Sequence, residues 1–232
     1  MTAINASLYA AIGLVTFFGI FAPPPIGVVR FWPVVVIPSV FAVLFGPWVG
    51  GTGAAIGIFL SDMVTHGNAL LSLTVGVPSN FLGFFLVGYI ARKKITLRML
   101  ASVFIIGFLT VIVGVYSILA LPETFQFTGL SSTDSILLFL AAVVGSFALI
   151  IIAASLWPEW KSYGAASTIG LAVGSAIIGL GLVPWFSKPL FFSLLWFIWT
   201  FTTEIPFLLL LGPPILKACY RAFPFLKQQV GR

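Results

Sequence analysis

The chain is a succession of long apolar runs separated by short polar or Gly/Pro-rich clusters. Eight runs stand out: Ile4 to Phe21, Trp32 to Phe45, Trp48 to Val64, Ala69 to Ile90, Leu97 to Leu121, Asp134 to Leu156, Gly164 to Val183 and Leu190 to Leu216. A helix needs about 20 mainly apolar residues to cross the hydrocarbon core of a bilayer. The runs lack the two-residue alternation of a transmembrane barrel. The pattern predicts an all-α polytopic transmembrane helical bundle of about eight helices, and one integral membrane domain over residues 1–232. The second and third runs are short, and the second carries Pro33 and Pro38. They read either as two thin spans or as one re-entrant hairpin. Both arrangements return the chain to the side it left. The first run has no basic leader segment and no small-residue cleavage site, so it is expected to remain as the first helix.

Composition narrows this further. The chain is 60% hydrophobic and 7% charged, with mean hydropathy +1.20; a soluble domain carries roughly a quarter charged residues. The formal net charge of +6 is not a nucleic-acid signature, because the basic residues lie in short connections and in the tail. Arg92, Lys93, Lys94 and Arg98 form the densest group. With that connection in the cytoplasm, nine of the 11 basic residues fall inside and only Arg30 and Lys188 outside, as the positive-inside rule requires. Both termini are then cytoplasmic. Trp32, Trp48, Trp157, Trp160 and Trp185 stand at run ends, where interfacial tryptophans belong. One cysteine excludes an internal disulfide, and one histidine leaves little scope for a metal site.

Polar groups at membrane depth carry the candidate chemistry, since a charge there costs on the order of 2.5–3.5 kcal/mol even on the mildest scale. Asp62 ends the third run, and His66 and Asn68 follow it. Asn80 lies about 11 residues into the fourth run, roughly 16 Å along a helix, beside Pro78. Together they read as an outward-facing pocket for a small polar solute. Singly, Asp62 and Asn68 also read as helix caps, His66 as a solvated loop residue and Asn80 as a partner of a neighbouring helix. Glu204, in Thr200-Phe201-Thr202-Thr203-Glu204-Ile205-Pro206, reads either as a proton carrier or ligand contact, or as a carboxyl bonded to Thr200 or to a neighbouring helix. Arg30, Glu123 and Asp134 fall in outer connections. Ala6 and Ala10, followed by Gly13, make a small-residue face on the first run of the kind that lets helices approach closely. No His-Glu-x-x-His, phosphate loop or Ser/His pair at one depth is present, so no catalytic activity, ATP hydrolysis or cofactor is expected.

These features resemble the substrate-binding S components of energy-coupling factor transporters, the vitamin importers. The resemblance rests on Pro33 through Asp62, which contain Phe45-Gly46-Pro47-Trp48-Val49-Gly50 and a glycine-rich helix. It continues through Asn68-Ala69-Leu70-Leu71-Ser72-Leu73 and the Asn80 to Ile90 helix that ends in a basic connection. It implies a six-helix core, placed here over residues 1–156, with 157–232 left as an additional helix pair and a basic cytoplasmic tail. It also implies a solute pocket taking in Asp62, His66, Asn68 and Asn80, under a lid formed by Ala22 to Phe31 with Arg30. The Ala6/Ala10 pair is then the docking face for a transmembrane coupling subunit driven by two ATPase subunits. The function expected is the solute-binding subunit of an ATP-driven micronutrient importer in the plasma membrane. The alternative is a self-sufficient secondary transporter with Glu204 as the ion- or proton-coupling group.

Overall fold

The computed structural model describes residues 1–16, 32–120, 131–156 and 160–226, and every regular element among them is helical. In chain order these are α1 (Thr2–Val15), a 3₁₀ turn (Pro33–Val35) leading into α2 (Val36–Phe45), α3 (Pro47–Thr65), and the short α4 (Ala69–Leu71). A turn of π-helix (Ser72–Gly76) joins α4 to α5 (Val77–Ala91). The long helices α6 (Leu97–Ala120), α7 (Ser132–Leu156), α8 (Lys161–Phe186) and α9 (Leu190–Ala222) follow. Five stretches are long and apolar enough to cross a membrane: 69–91, 97–116, 132–153, 161–186 and 192–222. The chain is a membrane protein of helical-bundle type.

Contacts fix the direction of each helix. Asn5 Nδ2 donates to the carbonyls of Val49 and Gly50. Added side-chain atoms at Gly57 and Gly13 would meet Tyr9 and Ser61 respectively, so α1 and α3 run parallel. Between them α2 runs the other way. It starts from Trp32, level with Gly13, and ends at Gly46, beside the Arg92 guanidinium. Gly46 takes φ 112°, a conformation that L side chains avoid, and Pro47 opens the next helix where a missing N–H costs nothing. Thus α2 runs antiparallel to both α1 and α3. Arg92 Nη2 donates to the Val43 carbonyl at 3.3 Å, tying the basic connection to the end of α2. The start of α1 and the end of α9 lie at this same end of the bundle.

The crossing of α5 and α8 holds the centre. A methyl group at Gly170 would come within 2.6 Å of the Gly83 carbonyl oxygen, and one at Gly174 within 3.0 Å of the Ser79 carbonyl oxygen. The two backbones are therefore in contact, as small-residue faces permit in membranes. α9 packs antiparallel against α8, where Gly179 meets Ser193 and Phe197.

The last helix pair, expected as an addition to the core, is the more buried of the two long pairs. α8 and α9 are 56% and 61% buried over their apolar windows, against 22% and 28% for α6 and α7. α6 and α7 pack antiparallel on one another through Gly107 and Gly114. They lean on the outside of the bundle through α8 and α9, where Phe139 stacks on Trp199 and Ser146 Oγ donates to the Thr202 carbonyl. Much of α6 is exposed apolar surface, including Leu97, Ile105, Phe108 and Leu119, as lipid contact demands. The central set is α1, α2, α3, the α4–α5 unit, α8 and α9, and the pair set aside is α6–α7. The physical reason is polarity, since the least polar helices are those solvated by lipid tails.

Replacing Gly170 by leucine is expected to lower the melting temperature of the detergent-solubilised protein, at a cost of about 1–3 kcal/mol for overpacking. Gly145→Ala on α7, where an added Cβ meets nothing within 4 Å, is expected to leave it unchanged or slightly raised. Thermal denaturation of the two variants side by side checks the assignment of the crossing.

Candidate functional site

A cavity of about 350 Å³ opens between α1, α3, the α4–α5 unit, α8 and α9. This is within the range typical of small-molecule sites, roughly 300–1,000 Å³. Asp62, His66, Asn80 and Glu204 all line it, so the carboxylate that the sequence left apart joins the other three. α6 and α7 contribute nothing to the wall.

One wall is internally satisfied. Trp32 Nε1 donates to the Tyr9 hydroxyl at 3.1 Å, and that hydroxyl donates to Asn80 Oδ1 at 2.8 Å. Asn80 Nδ2 donates in turn to the Gly76 carbonyl at 3.0 Å, which also accepts from Ser79 Oγ at 2.8 Å. Nearer the mouth, Ser72 Oγ donates to Asp62 Oδ2 at 2.7 Å and His66 Nε2 lies 3.3 Å from Asp62 Oδ1. Gly76 admits this carboxylate, for a Cβ there would lie 2.9 Å from Asp62 Oδ2.

The opposite wall is different. Trp196, Thr200 and Glu204 stand four residues apart on one face of α9, facing Leu171, Gly174, Ser175 and Ile178 of α8. The Trp196 indole nitrogen, the Thr200 hydroxyl and the Ser175 hydroxyl are buried and have no hydrogen-bond partner among the described residues. Buried polar groups are normally paired, so these three are exceptions that share one cavity.

Other expected site residues lie elsewhere. Asn68 does not line the cavity; its side chain accepts from the Leu71 backbone N–H at 3.0 Å and caps α4. Asp134 is likewise engaged in a cap at the start of α7, with Ser131. Arg30, Glu123 and the lid expected over Ala22 to Phe31 lie outside the described residues. The expected docking pair faces inward in this chain. Ala6 and Ala10 are 3% and 7% exposed, because they let α1 sit directly on the glycines of α3. The open face of α1 carries Ala3, Ser7 and Ala11 among Ile4, Leu8 and Ile12. Trp32, expected at the interface, turns inward to the cavity, whereas Trp48 and Trp185 are exposed at 66% and 58%.

Sequence reasoning missed Tyr9, Trp32, Ser175, Trp196 and Thr200. The signal for two of them was present in the four-residue spacing of Trp196, Thr200 and Glu204. Comparison with protein-family models, with curated proteins and with solved structures found no match.

Tyr9→Phe is expected to strand Trp32 Nε1 and Asn80 Oδ1 and to cost about 1–3 kcal/mol. A thermal double-mutant cycle with Asn80→Leu is expected to give a coupling of about 0.5–1.5 kcal/mol; additive effects would mean the chain of hydrogen bonds is not energetically linked.

Proposed function

We propose that this protein is the membrane-embedded solute-binding subunit of an importer, of the type of the S components of energy-coupling factor transporters. The observation that carries the reading is a cavity between five helical units of an apolar bundle whose lining brings together Asp62, His66, Asn80 and Glu204. Polar and ionisable groups are expensive at membrane depth and tend to mark solute or ion pathways. The six-element central set, with α6–α7 outside it, agrees with the six-helix core that the resemblance implies. On this reading His66 marks the outer mouth. The end bearing Arg92, the start of α1 and the end of α9 is cytoplasmic, in a plasma membrane. Solute is captured from outside, and a coupling subunit with two ATPase subunits supplies the energy. The part of α1 open to such a subunit is the face with Ala3, Ser7 and Ala11.

A second reading is supported by Glu204 lining the same cavity as Asp62 and Asn80. Shared walls are what a secondary transporter needs if one carboxylate is to couple an ion to a solute. The two readings predict different behaviour of the purified chain. The binding-subunit reading expects a small molecule to co-purify stoichiometrically, detected by mass spectrometry of the denatured extract. It expects Thr65→Trp, at the cavity rim, to reduce that occupancy at least about tenfold, the effect of about 1.4 kcal/mol. It also expects vesicles holding the chain alone not to concentrate the solute. Gradient-driven uptake by the chain alone, lost in Glu204→Gln, would establish the second reading instead.

A further inference from the structure

The chemistry of the two walls defines what the cavity takes, given the solute-binding reading on which this inference rests. Among the described residues, the side chains that line it include two carboxylates, Asp62 and Glu204, and one imidazole, His66, but no lysine or arginine. Asp62 is already engaged by Ser72 and His66. Glu204 has no hydrogen bond or ion pair with any described residue, although it lies deep in the bundle on α9. The same cavity is lined by aromatic rings, those of Tyr9, Trp32, Phe84 and Trp196. Their π faces attract cations. The same lining includes residues with three buried donors that have no acceptor among the described residues: Trp196 Nε1, Thr200 Oγ1 and Ser175 Oγ, on residues only 8%, 2% and 1% exposed.

A ligand that satisfies all of these carries a positively charged N–H group for Glu204, a flat body for the rings, and an oxygen or nitrogen acceptor for the α8–α9 donors. We propose that the cavity binds a small organic cation, a protonated amine or amidinium on a flat ring system, with its charged nitrogen on Glu204 and an acceptor atom turned to Trp196, Thr200 and Ser175. Among the described residues an anionic solute meets no lysine or arginine in the lining, and His66 already pairs with Asp62. The membrane setting makes this a strong discriminator, because a carboxylate and an ammonium that meet away from water gain far more than they would in it.

The test uses three probes with one carbon skeleton and different charge: benzylammonium, benzyl alcohol and benzoate. Binding to the full-length protein in detergent is read by equilibrium dialysis, after any co-purified solute has been removed. Benzylammonium is expected to bind at least about tenfold more tightly than benzyl alcohol, the scale of a charge-assisted hydrogen bond, and benzoate is expected not to bind. Glu204→Gln is expected to erase the ammonium preference; Asp62→Asn is expected to reduce the preference less. Equal binding of the amine and the alcohol, tighter binding of benzoate, or a preference that survives Glu204→Gln would overturn the organic-cation assignment while leaving solute binding intact. Failure of all three probes to bind, together with an empty extract from the purified protein, would overturn the solute-binding reading itself. If Glu204→Gln does not fold, the contrast between the three probes on the unmodified protein still decides the charge preference.

Discussion

Where α5 meets α8, two helices touch backbone to backbone, with Gly83, Gly170 and Gly174 supplying no side chain to keep them apart. In lipid no hydrophobic force drives such helices together, so close packing has to supply the attraction. The site depends on this contact. It brings α8, and with it α9, to the edge of the cavity opened by α1, α3 and the π turn. A bulkier residue at the crossing would push the α8–α9 wall outward and separate Glu204, Thr200 and Trp196 from Tyr9 and Asn80. The glycines of α3 play the corresponding role for α1, and Ala6 and Ala10 are spent on that contact.

The two walls divide their labour. On the α1–α3–α5 side the donors of Trp32, Tyr9, Asn80, Ser79 and Ser72 each have an acceptor within the protein, so this wall keeps its shape whether or not anything is bound. The α8–α9 side keeps its donors and its carboxylate uncommitted. Unpaired buried polar groups carry a desolvation penalty of about 1–3 kcal/mol each, a standing cost that a bound partner removes. Preorganisation on one side and unmet hydrogen-bonding capacity on the other favour a ligand whose polar atoms complement the second wall.

Most of the architecture was legible in the sequence. Run length and hydropathy located the helical stretches to within a few residues, because a span must be apolar for most of its length. Asp62, His66, Asn80 and Glu204 were legible as well, since polar groups stand out against so apolar a background. Their convergence was not. The order of packing cannot be read from runs alone, and the assumption that the last two helices were the added ones followed chain order. Burial follows polarity instead. The Gly/Ala/Ser-rich α8 and the threonines of α9 belong inside, while the more uniformly apolar α6 and α7 belong against lipid. Ala6 and Ala10 misled for a related reason: a small-residue face looks the same in sequence whether it meets a helix of the same chain or of another. Asn68 was legible as a cap by its position before Ala69-Leu70-Leu71, and that is the role it takes.

The position of α6–α7 also has a topological consequence. The chain leaves the central set at Ala91 and rejoins it at Lys161, both at the Arg92 end, after one outward and one return passage. A detour of two passages preserves parity, so α8 and α9 keep the direction they would have if α5 led straight into α8. Such a pair behaves as a cassette. Its gain, loss or exchange alters the lipid-facing perimeter of the protein without inverting any helix that builds the cavity.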